Sequence, residues 1–231
     1  MENIKVVFID IDNTLLDFDE YVKETMKNGF KHFSLKEYQP YMYDIFTQEN
    51  NKLWLQIEKG ELTFQELEKI RWNNVFKALD INFDGIVFEK YFRSALYNSA
   101  ILIDNAVEML SYLNKKYILC VASNGPYNQQ IHRLEVAHIK EYFSYYFISE
   151  KIGYSKPNKD FFKEAFKELN QKINVLPNEC LIIGDSLSSD IKGGHDYNMK
   201  TCFFNKKKKE IKINENIDYI IDNLKKVKEI L

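Results

Sequence analysis

Asp10 and Asp12 stand two residues apart in Asp10-Ile11-Asp12-Asn13-Thr14-Leu15, directly after the apolar run Lys5-Val6-Val7-Phe8-Ile9. Two carboxylates that close repel each other, and burying them is costly unless a cation or a proton intervenes. The same residues can simply close a turn, because Asp and Asn side chains bond to nearby backbone. Taken alone, the pair supports either reading. Further along the chain, Ser123 and Asn124, Lys156, and Asp185 with Asp190 stand at or soon after other apolar runs. If these positions meet, they assemble several carboxylates, a hydroxyl and an ammonium. Such an acidic set needs a divalent cation, and oxygen ligands favour Mg²⁺, which keeps several waters and usually meets a substrate phosphate. Lys156 and the Ser123 hydroxyl would then hold the remaining phosphate oxygens. Lys156 precedes Pro157, so an extended backbone is expected there, projecting the lysine from its loop.

What must position these groups is a sheet. Lys5 to Ile9 is rich in β-branched and aromatic residues and reads as a strand buried on both faces. Further strands are expected over 117–122, 145–149, 179–184, 201–204 and 218–221. Helices are expected between them, over 105–115 with Asp104 as N-cap, from Pro126 to about 134, and over 160–169, 189–197 and 224–231. Such alternation predicts an α/β fold: a Rossmann-like parallel sheet with right-handed crossovers and helices on both faces. Ligand chemistry in such sheets gathers at the carboxyl ends of the strands, where the polar residues stand.

Between the first strand and the rest, about 19–98 shows helical periodicity only: 20–33, one or two helices over 36–57, one from Thr63-Phe64-Gln65-Glu66 to about 79, and one capped by Asp84. These helices read as an insertion, giving 1–17 with 99–231 as the core domain and 18–98 as a helical cap domain. Most of its aromatics read as helix-packing core, with Phe18, Tyr21 and Trp54 as candidates to face a substrate. Gly193-Gly194, inside a helical stretch, suggests close packing against the sheet.

Composition excludes several classes. The chain has 231 residues, 45% apolar, with 32 Lys+Arg against 34 Asp+Glu and a net charge of -2, so no polyanion-binding character is evident. Cys120, Cys180 and Cys202 match no zinc or disulfide framework; Cys120 and Cys180, in or beside apolar runs, read as buried free thiols, consistent with a cytoplasmic location. The chain opens almost directly on a strand, which argues against a signal peptide, and no apolar run reaches the ~20 residues that span a bilayer. His32, His132, His138 and His195 show no metal-ligand spacing, and no Gly-x-Ser-x-Gly elbow is present. The run Lys206 to Lys209 reads as a solvated loop.

Asp10-Ile-Asp12-Asn-Thr14, Ser123-Asn124-Gly125, Ser155-Lys156-Pro157 and Gly184-Asp185-Ser186-Leu-Ser-Ser-Asp190 resemble, in order, the four motifs of the haloacid dehalogenase-like hydrolases. The helical insertion falls where that superfamily carries its small cap. Asn13 departs from the Gly or acidic residue often found at that point. Asn51-Lys52-Leu53-Trp54, Lys59-Gly60-Glu61-Leu62-Thr63, Gln129…Arg133-Leu134, Ser149-Glu150-Lys151-Ile152-Gly153 and Lys156-Pro157-Asn158 are similar to the bacterial pyrimidine 5'-nucleotidases of the superfamily, over nearly the whole chain.

The resemblance implies a phosphatase in which Asp10 is the nucleophile and forms an aspartyl-phosphate, and Asp12 is the acid and then the base. It implies Mg²⁺ held by the Asp10 side chain, the Asp12 carbonyl and Asp185, with Asp190 behind them. Lys156 would neutralise the phosphoryl group and restrain Asp10, and Ser123, with Asn124, would bind phosphoryl oxygens. The substrate implied is a small phosphorylated metabolite, a pyrimidine nucleoside monophosphate, with no nucleic acid polymer and no membrane as partner; a monomer and a homodimer are both compatible. Within the same fold, a sugar-phosphate phosphatase or a phosphomutase would carry the same core residues. A catalytically silent binding protein is the alternative from another class, and the intact acid and phosphate set argues against it.

Overall fold

Val6 to Ile9 are all fully buried, and they form the central strand β1 (Val6–Ile9). The computed structural model describes residues 4–211 and 216–231. β2 (Ile118–Ser123), β3 (Tyr145–Ile148), β4 (Cys180–Gly184), β5 (Lys200–Phe204) and β6 (Tyr219–Ile221) complete one sheet of order β3-β2-β1-β4-β5-β6. Every pairing is parallel. The strands lie where the apolar runs placed them. After β3 the chain returns across β1 to begin β4, so the order reverses beside β1, which is the crevice where doubly wound sheets bind ligands.

The period of two along each strand divides the core. Val7, Ile9, Leu119, Val121, Leu181 and Ile183 face one layer of apolar residues, while Val6, Phe8, Cys120, Ala122, Cys180 and Ile182 face the other. The register sets Phe8 beside Cys120 on one side and Ile182 on the other.

Four helices make up the inserted segment: α1 (Phe18–His32), α2 (Pro40–Glu58), α3 (Phe64–Ala78) and α4 (Gly85–Tyr97). In the sheet-bearing part come α5 (Ala106–Leu113), α6 (Tyr127–Val136), α7 (Ser149–Ile152), α8 (Lys159–Leu169) and α9 (Lys192–Asp196). Met109, Leu110 and Leu113 of α5 and Leu134 of α6 cover the first face of the sheet. Phe161, Phe162, Ala165, Phe166 and Leu169 of α8 cover the second. None of the described helices is long and apolar enough to cross a membrane. All three cysteines are free and buried, as the apolar settings of Cys120 and Cys180 predicted for those two.

Several local expectations need correction. Asn105, not Asp104, stands at the N-cap position of α5, in a left-handed conformation (φ 67°) that Asn tolerates well, and its side chain makes no cap hydrogen bond. Pro126 precedes α6 as its cap residue, because its extended backbone (ψ 132°) lies outside the helix. The helix expected over 189–197 begins instead as a π turn, Leu187–Ile191, in which Asp190 N and Ile191 N both donate to Ser186 O at 3.1 Å. The closing helix is a 3₁₀ segment, Leu224–Glu229, which buries Leu224 and Val227 at the spacing of three that this geometry stacks.

Two units result, Met1–Asp17 with Ala100–Leu231, and Phe18–Ser99. In the helical unit Thr63 and Glu66 form the expected capping box, with Thr63 N donating to Glu66 Oε2 at 2.8 Å, and Asp84 caps α4 by accepting from Ile86 N at 2.8 Å. Trp72 packs among Phe46, Phe76, Phe88 and Phe92. Tyr21, a candidate to face substrate, is core instead: it is buried against Phe92 and its hydroxyl donates to Phe92 O.

Candidate active site

The end of β1 delivers Asp10 between the ends of β2 and β4, and Asp10 N still donates to Ile183 O at 3.0 Å. Lys156 reaches from its loop into the site, with its side chain only 1% exposed. Its Nζ donates to Asp10 Oδ1 at 2.8 Å, to Asp190 Oδ1 at 2.5 Å and to the carbonyl of Ala122. A buried ammonium is tolerable when its three hydrogens are all taken in this way. The loop is held by Asn124, whose amide clasps the Lys156 backbone in both directions: Nδ2 to Lys156 O at 2.9 Å, and Lys156 N to Oδ1 at 2.8 Å. The Asn124 side chain, expected near phosphate, thus serves the placement of Lys156. The Lys156–Pro157 peptide bond is cis.

Burial pushes the Asp10 carboxyl up to about 7. Lys156 opposes this and the neighbouring acids Asp190 and Asp12 reinforce it. Burial works against the Lys156 ammonium too, but the carboxylates of Asp10 and Asp190 outweigh it and hold its pKa above the ordinary lysine value.

Asp185 follows β4, and single carboxylate oxygens of Asp10, Asp185 and Asp190 lie within 4.8 Å of one another. This is a hard-oxygen donor set, which fits a divalent cation of the Mg²⁺ or Mn²⁺ kind better than a thiophilic one. A cation there would also offset the burial that disfavours the Asp10 carboxylate. Asp190 approaches so closely because residue 184 is glycine: a Cβ at that point would lie 2.2 Å from Asp190 Oδ2. The π turn completes the placement, with Ser186 N donating to Asp190 Oδ2 at 3.1 Å while Oδ1 takes Lys156.

Asp12 is reached by Gln130 and by Arg133, to which the resemblance assigned no role. Arg133 Nη1 donates to Asp12 Oδ1 at 2.7 Å, and Gln130 Nε2 donates to Asp12 Oδ2 at 2.9 Å. Gln130 Nε2 also donates to the hydroxyl of Ser123, the buried last residue of β2, at 2.9 Å. Besides the resemblance that includes Arg133, the sequence shows two long polar side chains three apart on a helix whose next residue, Leu134, is core. Asn13 adopts φ 58°, which explains why a residue at ease in the left-handed region stands there. Of the lysine run, Lys206 pairs with Asp17 and Lys208 with Asp222 at 3.6 Å, both at the surface.

The model of the family described as haloacid dehalogenase-like hydrolase matches residues 4–197. The chain belongs to the haloacid dehalogenase-like hydrolases. The sequence of the HAD hydrolase YfnB of Bacillus subtilis is 30% identical over 208 residues, 89% of this chain and 86% of YfnB. A magnesium-bound crystal structure of YfnB superposes with a TM-score of 0.89 at 28% identity, covering 100% of this chain and 99% of that one. The pyrimidine 5'-nucleotidase PynA of Streptococcus pneumoniae is 30% identical over 203 residues, covering 87% of this chain and 84% of PynA. The pyrimidine 5'-nucleotidase YjjG of Escherichia coli is 28% identical over 201 residues, covering 86% and 85%. This haloacid dehalogenase-like hydrolase is an enzyme of the phosphatase kind.

Proposed function

We propose that this phosphatase hydrolyses nucleoside 5'-monophosphates, pyrimidine ones in preference, with Mg²⁺ as cofactor. The substrate assignment is carried by the similarity, over most of the chain, to PynA and YjjG, both named as pyrimidine 5'-nucleotidases. The chemistry is supported by the buried cluster around Asp10. In the first step an Asp10 carboxylate oxygen bonds to phosphorus, the bond to the nucleoside oxygen breaks, and Asp12 gives that oxygen a proton. In the second, Asp12 takes a proton from water as the water oxygen bonds to phosphorus, the Asp10 oxygen–phosphorus bond breaks, and the Asp10 carboxylate and phosphate are released. Lys156 holds Asp10 in line and balances charge on the phosphoryl group, and the Ser123 hydroxyl, already accepting from Gln130, donates its own hydrogen to a phosphoryl oxygen. Asp190 acts through Lys156, whose ammonium donates to it as well as to Asp10. Asp10, Asp185 and the backbone carbonyl of Asp12 are the groups assigned to hold Mg²⁺, which when bound neutralises charge on the transferring phosphoryl oxygens.

A phosphate-release panel with Mg²⁺ tests this, comparing dUMP, dTMP, UMP, purine monophosphates and sugar phosphates. Preference for the pyrimidine nucleotides is expected. Release confined to sugar phosphates would overturn the nucleotidase assignment and leave the mechanism standing. Asp10→Asn should abolish turnover with the fold intact, and retained turnover would mean that the nucleophile is another residue.

A further inference from the structure

Arg133 and Gln130 are each 1% exposed, they sit three residues apart on α6, and neither carries a step in the reaction derived above. Burying a guanidinium is unfavourable relative to an apolar side chain of similar volume. Its use here needs a reason beyond packing, and the hydrogen-bond directions supply one. Arg133 Nη1 spends one hydrogen on Asp12 Oδ1 at 2.7 Å and another on Gln130 Oε1 at 2.9 Å. The second bond dictates which end of the Gln130 amide is which. Its oxygen must face Arg133, so its nitrogen faces the site. The two hydrogens on that nitrogen then go to Asp12 Oδ2 and Ser123 Oγ, each at 2.9 Å. Arg133, Gln130 and the Asp12 carboxylate close a ring, and Ser123 is tied to it as an acceptor, which leaves its O–H for phosphate.

We propose that Arg133 and Gln130 are positioning residues that lock the Asp12 carboxylate and the Ser123 hydroxyl into one unit, so that Asp12 meets the leaving oxygen of a phosphate held by Ser123. The inference rests on the reading of Asp12 as acid and base. Neither residue exchanges a proton: the guanidinium stays charged and the amide is neutral. The proton moves only between Asp12 and the leaving oxygen, as the Asp10–phosphorus bond forms and the ester bond breaks, and then from water back to Asp12. Orientation is therefore all that Arg133 and Gln130 contribute. Their loss should be felt most where the leaving group needs a proton.

The test is single-turnover release of the leaving group with Mg²⁺ from two monoesters. One is the alkyl ester that the wild-type enzyme turns over fastest in the panel above. The other is p-nitrophenyl phosphate, whose aryl oxide departs without protonation. Asp12→Asn sets the reference, a loss much larger on the alkyl ester. Arg133→Met and Gln130→Leu should reproduce that split, with about 10²-fold lost on the alkyl ester and at least about tenfold less on the aryl ester. Arg133→Lys should recover part of the alkyl rate, since an ammonium restores a bond to Asp12. Equal losses on both esters in Arg133→Met and Gln130→Leu, with the split present in Asp12→Asn, would overturn the proposal. No split in Asp12→Asn would instead overturn the acid role of Asp12, and this proposal with it. If Arg133→Met fails to fold by circular dichroism, Gln130→Leu, which buries no charge, decides the outcome.

Discussion

At Asp10 burial and Lys156 pull in opposite directions, and the protein's pH response reveals which wins. Burial disfavours the carboxylate more than Lys156 favours it, so the folded protein holds a proton that the unfolded chain releases near the ordinary value of 3.8. The metal-free protein should therefore lose stability as pH rises from about 3.8 through about 7. Asp10→Asn should flatten that fall, and added Mg²⁺ should raise the melting temperature more at the upper end of the window than at the lower. Thermal melts of both proteins across the window, with Mg²⁺ and with chelator, check this. A rise in stability over the same range would mean that Lys156 wins. Gly184 allows a second prediction at this scale. A methyl group there would stand 2.2 Å from Asp190 Oδ2, and Asp190 is itself tied to Lys156. Gly184→Ala should lose about 1–3 kcal/mol of stability. It should also lower turnover by displacing the lysine, read by melting and by steady-state kinetics on the same preparation.

The elements around the site are shaped by what they must bring close. The π turn at Leu187–Ile191 turns the Asp190 side chain inward, where a regular helix from 189 would have begun. α9 follows at once, and the glycine pair that looked unfavourable in it is explained by two different neighbours. A Cβ on Gly194 would meet Ile182 Cγ2 of β4 at 2.3 Å, whereas one on Gly193 would meet Phe162 of α8 at 2.7 Å. The helix lies against the sheet only because residue 194 has no side chain. Gly194→Ala should therefore destabilise the fold by about 1–3 kcal/mol despite its better helix propensity. Urea denaturation of the variant tests this, and a gain in stability would show that propensity outweighs the close contact. Because Gly194 packs on β4, whose end carries Asp185, the same variant should also weaken Mg²⁺ binding in a calorimetric titration.

For the whole molecule, each of the two units carries buried apolar clusters of its own. In the helical unit, Arg71 and Glu89 form a two-pronged ion pair with side chains 3% and 5% exposed, with Arg71 Nε donating to Glu89 Oε2 at 3.1 Å and the guanidinium 4.7 Å from the centre of the Phe92 ring. Removing one member of such a pair leaves a buried charge, so Glu89→Ala should lose about 3–5 kcal/mol. Trp54 and Trp72 are the chain's two tryptophans and both lie in this unit, so tryptophan fluorescence follows it alone. The variant should lower the urea midpoint seen by fluorescence, while circular dichroism retains a second transition at the wild-type midpoint. One shared transition, shifted equally in both probes, would show that the units unfold together.

The sheet, and the standing of Asp10, Ser123 and Asp185 at the ends of its strands, were legible in the sequence. Continuous apolar runs of four to six residues admit only buried strands here, and parallel strands gather the residues that follow them at one edge; Asp10, Ser123 and Asp185 follow from that. Tertiary structure alone decided which way side chains turned and what they met. Lys156 runs inward because carboxylates from β1 and the π turn lie within reach of one ammonium, and no local pattern records that meeting. Asn124 is spent on the Lys156 backbone for the same reason, across 32 residues of chain. In the sequence Arg133 stands out only as part of a resemblance and Gln130 not at all, and the fold brings Asp12 to them from 121 and 118 residues away. Local propensity can fix an element and its end, but a hydrogen bond between distant segments exists only once the chain has closed on itself.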